Sequence, residues 1–163
     1  DKKVRDKAVK SLRKYLVHQR ETPMVELLKL WKGLFYCMWM SDKPLVQQQL
    51  CDDLAGLTAQ LPNERLMSWL SAFWTTMCRE WSGIDKHRVD KFYLLMRRYV
   101  SAGFKALQST DWDPSIIGEY MEMLTSGPLS PYDATAIDAV RMHIADIYVA
   151  ELEKLVDAEV GGR

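Results

Sequence analysis

Leu27–Pro44 reads LLKLWKGLFYCMWMSDKP, and its reading decides the fold. Leu30, Trp31, Leu34, Phe35, Tyr36, Met38, Trp39 and Met40 make it the densest run of large apolar residues in the chain. Met24, Leu27, Leu28, Trp31, Leu34, Phe35 and Met38 recur at i, i+3, i+4 spacing and form one wide apolar stripe of a helix. Val25, Lys29, Lys32, Tyr36 and Trp39 share a second face at the same spacing. A helix apolar on nearly all sides is expected to be packed from several directions. With roughly 17 residues and two lysines it is a poor membrane span, which needs about 20 apolar residues. Ser41-Asp42-Lys43-Pro44 then breaks the helix and is expected to cap the next one.

Six more helices follow from the same periodicity. They are expected over 2–18, 43–60, 64–81, 86–109, 114–126 and 130–158. The first buries Val4, Ala8, Leu12, Tyr15 and Leu16. Thr22 is a candidate N-cap with Pro23 at the first helical position, and Asp113 another before Pro114. Gly83 is a candidate left-handed cap. Gly103, inside a helix, is expected to let a neighbour approach closely. Ser130-Pro131 is expected to open the last helix, and it also has the form of a proline-directed phosphorylation site. That helix buries Ile137, Val140, Ile144, Tyr148, Leu152 and Leu155. Short turns between helices make them antiparallel neighbours. The expected fold is all-α, an irregular HEAT-like helical solenoid of about seven helices, with a globular helical bundle as the alternative. No strict period marks a true repeat.

The size, 163 residues, and an apolar content of 48% suit one helical domain over 1–160 with a substantial core. The opening without Met and the Gly161-Gly162-Arg163 end point to the N-terminal part of a longer chain. Cys37, Cys51 and Cys78 are odd in number and set among apolar residues, so all three are expected to be buried reduced thiols.

Net charge is zero but unevenly spread. Residues 1–20 carry eight Lys/Arg against two acids, a balance of +6, and residues 111–160 carry two against eleven, or −9. Lys3, Lys7, Lys10 and Lys14 line one face of the first helix. Lys91, Arg97, Arg98 and Lys105 suggest a second basic stripe on the fifth. Either is a solvated helix face or a contact for RNA phosphates. Lys29, Lys32, Tyr36 and Trp39 mix charge with aromatic surface, which suits a partner protein or an unpaired base unless a neighbouring helix covers it. Asp138, Asp146, Glu153 and Asp157 give the last helix an acidic face that could meet a basic protein.

Nothing in the chain reads as catalytic. HExxH, CxxC, a Gly-rich phosphate loop and GxSxG are all absent, and His18, His87 and His143 are far apart. Asp52-Asp53 and Asp111-Trp112-Asp113 lack companions suited to Mg²⁺. No cofactor, metal or small-molecule substrate is expected.

KLWKGLFYCMWMSDKPLV resembles a signature of the eukaryotic nucleolar ribosomal RNA-processing protein 1 family. FWTTMCREWSGIDKHRVDKFYLLMRR (73–98), HIADIYVAELEKL (143–155) and the opening KKVRDKAVKSLRKYL agree, so the resemblance covers nearly the whole chain. It implies a non-enzymatic factor for assembly of the large (60S) ribosomal subunit and for pre-rRNA processing, located in the nucleus and nucleolus. The implied partners are other large-subunit assembly factors and ribosomal proteins, with pre-rRNA as a further candidate and no membrane. The resemblance carries no individual contact residue.

Overall fold

The computed structural model describes residues 2–19 and 21–161, with all their side chains except those of Lys2 and Arg5. Among these residues the chain forms seven α-helices and no strand. They are α1 Lys2–His18, α2 Met24–Trp39, α3 Pro44–Gly56, α4 Asn63–Glu80, α5 Val89–Ser109, α6 Pro114–Ser126 and α7 Asp138–Gly161. Single 3-10 turns, Thr58–Gln60 and Trp81–Gly83, follow α3 and α4.

The helices stack by alternation. α2 packs on α4 and α4 on α6, while α3 packs on α5 and α5 on α7. From α2 onward each helix therefore lies beside the next but one, and the chain builds two layers as successive antiparallel pairs do in a solenoid. Aromatic side chains join the layers. Trp31 of α2 meets Trp69 of α4 at 4.7 Å and Tyr99 of α5 at 5.1 Å, and Phe73 stacks on Tyr99 at 3.9 Å. Phe35 stacks on Phe92 at 4.6 Å. The buried Tyr99 hydroxyl donates to the Leu54 carbonyl at 2.8 Å, so the phenol fills the seam without stranding its O–H.

α5 is the hub. It buries Phe92, Leu95, Met96, Tyr99, Val100, Phe104 and Leu107, more large side chains than any other helix among the described residues. α2 buries a narrower stripe than its composition suggests: Leu27, Trp31, Phe35 and Met38 are inside, while Met24 is exposed. Gly103 sits against Tyr120 of α6 as expected, since a Cβ there would lie 2.5 Å from the Tyr120 hydroxyl.

Several local expectations are corrected. α1 is shallowly docked: Leu16 is buried, Val9 and Leu12 are half-buried, and Val4 and Tyr15 are exposed. Its end is held by Arg65 of α4, which donates to the carbonyls of Leu16, Val17 and Gln19. Thr22 makes no cap bond, and Pro23 itself stands at the N-cap of α2. Lys43 takes that place before α3, again without a side-chain bond. Gly83 has no positive φ. The left-handed residues are Asp111 (φ 56°) and Trp112 (φ 57°), and they close α5. Trp112 N–H donates to Leu107 and Asp111 N–H to Gln108, which is the Schellman arrangement. Asp113 caps α6 through Ser115 N–H at 2.8 Å, as its sequence predicts.

α7 starts eight residues later than expected, at Asp138 rather than Ser130. The Ser130 hydroxyl accepts from the N–H groups of Tyr132 and Asp133, and the Asp133 carboxylate from that of Thr135. Two side-chain turns thus compete with the helix and win. Ser130 is also buried, so its hydroxyl is a turn former rather than an open acceptor for phosphate.

Candidate interaction surfaces

Of the four cations expected to line α5, Lys91 is buried, while Arg97 and Arg98 stay partly exposed and pair with carboxylates of α7 and α3. Lys91 is only 5% exposed. Its ammonium donates to the carbonyls of Trp39 at 2.6 Å and Ser41 at 2.8 Å. The Trp39 carbonyl ends α2 and the Ser41 carbonyl lies just past its C-cap, so a cation there answers both their lone pairs and the helix dipole. Burial pushes the ammonium below its usual range, opposed by the Asp42 carboxylate.

Arg97 donates to Glu151 of α7 at 2.6 Å, and Lys154 reaches the same carboxylate at 3.0 Å. Glu151 is 6% exposed and lies on the packed side of α7. Desolvation is the largest single influence on it and would raise its pKa. The hydrogen bonds from Lys154 and Arg97 outweigh that and hold it below the usual glutamate value. Arg98 is half-buried and donates to Asp52 of α3 at 2.6 Å. Lys105 alone of the four is exposed. A helical wheel places Lys91 on an open basic stripe, and it does not show that α3 and α7 bring carboxylates, and α2 its carbonyls, to meet these cations.

The α1 stripe is different, for Lys3, Lys7, Lys10 and Lys14 are all exposed. Carboxylates share part of this surface. Lys10 and Arg13 line a cleft of about 560 Å³ together with Asp6, Asp52 and Asp53.

The α2 face is divided. Lys29 pairs with Glu26 at 2.8 Å, and Lys32 with Glu80 of α4 at 3.5 Å. Trp39 is half-buried, with Phe92 on one side and the Arg88 guanidinium 4.9 Å from its ring centroid. Tyr36 is exposed, and so are Met40, at the end of α2, and Leu45, in the first turn of α3. Met40 and Leu45 flank the helix break, outside the buried stripes of α2 and α3.

On α7, Asp146, Glu153 and Asp157 are exposed, and Asp138 is exposed beside Arg141. The buried face is Val140, Ile144, Ile147 and Glu151, rotated from the stripe expected from the sequence. Tyr148, Leu152 and Leu155 are half-buried at its edge.

Cys51 and Cys78 are buried, and burial pushes the Cys51 thiol up to about 12. Cys37 is exposed, contrary to expectation. Among the described residues no group of three His, Cys, Asp or Glu could hold a metal, and no helix is long and apolar enough to cross a membrane.

The core-forming motifs around Trp31, Phe73 and Tyr99 run through the whole stack, and so does a family likeness. The model of the nucleolar protein Nop52 family matches residues 1–161. The chain belongs to the Nop52 family. It is 45% identical over 163 aligned residues to the mouse ribosomal RNA processing protein 1 homolog A, covering 96% of this chain and 33% of that protein. Identity to the human ribosomal RNA processing protein 1 homolog B is 41%, over 100% of this chain and 22% of that protein. The Drosophila melanogaster ribosomal RNA processing protein 1 homolog is 35% identical over 83% of this chain and 20% of its own length. The chain thus spans a third or less of these relatives. Nop52 membership agrees with the resemblance seen in the sequence, and the motifs behind it join core residues such as Trp31, Phe35, Phe73 and Phe92 with exposed ones such as Tyr36 and Met40.

Proposed function

We propose that this Nop52-family chain acts in ribosomal RNA processing as a non-enzymatic assembly factor of the large ribosomal subunit. It works as a helical scaffold in nucleolar precursor particles. The relatives' names support the rRNA-processing role. The observation that supports the scaffold reading is that Lys91, Arg97 and Arg98 each have a partner within the chain, while exposed faces remain on α2 and α7. Residues 1–160 act as one rigid unit whose partners are assembly factors and ribosomal proteins.

Direct binding of pre-rRNA is the second reading, favoured by the four exposed lysines of α1. A salt series separates the two. A binder that neutralises several phosphates loses affinity steeply as salt rises. The scaffold reading expects co-sedimentation with large-subunit precursors that survives charge reversal of Lys3, Lys7, Lys10 and Lys14. Loss of co-sedimentation on that reversal, with tight salt-dependent RNA binding by the wild type, would favour the second reading.

A further inference from the structure

α7 stands at the edge of the α3–α5–α7 layer, and the side turned away from α5 carries an ordered pattern. Met142 is 67% exposed, Val149 60%, Val156 44% and Val160 71%. Three of these recur at intervals of seven, and the fourth follows by four. They lie on the opposite side of the helix from Ile144, Ile147 and Glu151, which are buried. Asp146, Glu153 and Asp157 run beside them, all exposed. Beyond Arg141, Lys154 is the one Lys or Arg of the helix, and it is held on Glu151. His143 is turned the other way, with Nε2 3.1 Å from the Tyr93 carbonyl.

An apolar row at a seven-residue interval with charges along one flank is what one helix offers another in knobs-into-holes packing. From Met142 to Val160 the row is roughly 27 Å long at 1.5 Å per residue, enough for five turns of a partner helix. The flank decides the partner's sign. A second α7 would bring carboxylates against carboxylates. Nucleic acid and anionic lipid are repelled by the same groups. We propose that this face docks a basic amphipathic helix of a partner protein, with Leu- or Ile-type residues on the apolar row and Lys or Arg against Asp146, Glu153 and Asp157. This names the partner class for the scaffold reading on which it rests.

The test uses the full chain and three labelled helical peptides of about three heptads each. The first has Leu at the seam and Lys on the flanks. The second has the same composition with the seam scrambled. The third has Glu in place of Lys. Fluorescence anisotropy is expected to show the first binding at least about tenfold tighter than either control. Met142→Glu with Val149→Glu abolishes that preference. Asp146→Lys with Glu153→Lys and Asp157→Lys turns it toward the Glu peptide. All are exposed positions, and unchanged circular dichroism and melting confirm the fold.

Equal binding of the ordered and scrambled Lys peptides would reduce the face to net negative charge and overturn the proposal. So would binding indifferent to the Met142 and Val149 changes. A wild-type dimer in sedimentation that these changes dissolve would make the occupant a second copy and overturn it too. Co-sedimentation of the wild-type chain with large-subunit precursors tests the scaffold reading separately. If the chain co-sediments while the peptides show no preference, the docking proposal alone falls.

Discussion

Lys91→Met separates a structural lysine from an RNA-binding one. Methionine keeps most of the aliphatic stem in its buried channel but removes the ammonium. Two charge-assisted hydrogen bonds are lost, to the carbonyls of Trp39 and Ser41. Each such bond contributes about 1.5–3 kcal/mol. The Ser41 carbonyl keeps a second donor, Gln47 Nε2 at 2.8 Å, whereas no other donor is seen on the Trp39 carbonyl. Against this, the folded state no longer has to desolvate an ammonium. The balance is a loss of about 2–3 kcal/mol, since one orphaned carbonyl and two broken bonds outweigh the recovered solvation. Urea unfolding followed by tryptophan fluorescence reads this as a lower midpoint at unchanged slope. Lys105→Met, at an exposed site on the same helix, should stay within about 0.5 kcal/mol of wild type. Affinity for pre-rRNA should be unchanged in folded Lys91→Met, and should fall in Lys105→Met by no more than the loss of one surface charge. A Lys91→Met protein as stable as wild type but weaker on RNA would refute the capping argument.

Glu151→Gln should lower stability by roughly 2–3 kcal/mol at neutral pH, because it leaves Arg97 and Lys154 around a buried neutral group. The wild-type carboxyl is lowered in the folded state, so it adds stability above the unfolded glutamate value of about 4.3 and loses it as pH falls through the folded value. The variant should therefore show a shallower acid limb in that window, measured by thermal melts across pH. Gly103→Ala and Gly33→Ala should differ in sign. At Gly103 a helix-propensity gain of about 1 kcal/mol meets an overpacking cost of about 1–3 kcal/mol against the buried Tyr120 ring, while nothing lies within 4 Å of a Cβ at Gly33. Chemical denaturation should find the first destabilised and the second stabilised by about 0.5–1 kcal/mol; two changes of the same sign would contradict the packing described. Asp111→Gly should raise the melting temperature, since relief of a left-handed aspartate is worth up to about 1 kcal/mol.

The helices were legible because their apolar residues recur with a period that backbone geometry enforces. Phe92, Met96, Tyr99, Val100 and Leu107 mark the buried face of α5 in sequence as in structure. What failed was information that no single helix contains. Lys91 reads as a surface cation until the end of α2 is placed over it. Glu151 reads as one more acid of an acidic face until α5 supplies Arg97. The α7 boundary failed locally, where the Ser130 and Asp133 turns imitate a helix start and delay the real one. The Met142, Val149 and Val156 row was present in the sequence at seven-residue spacing. Tyr148, Leu152 and Leu155 compete with it in the sequence, as an equally apolar candidate for the buried side.

The scaffold claim is tested most directly by cross-linking the chain inside large-subunit precursor particles isolated from nucleoli. Carboxylate-to-lysine cross-linking should join Asp146, Glu153 or Asp157 to lysines of a neighbouring assembly factor or ribosomal protein, and ultraviolet cross-linking should leave α5 free of RNA. RNA cross-links along α5, with none from protein to α7, would contradict the account.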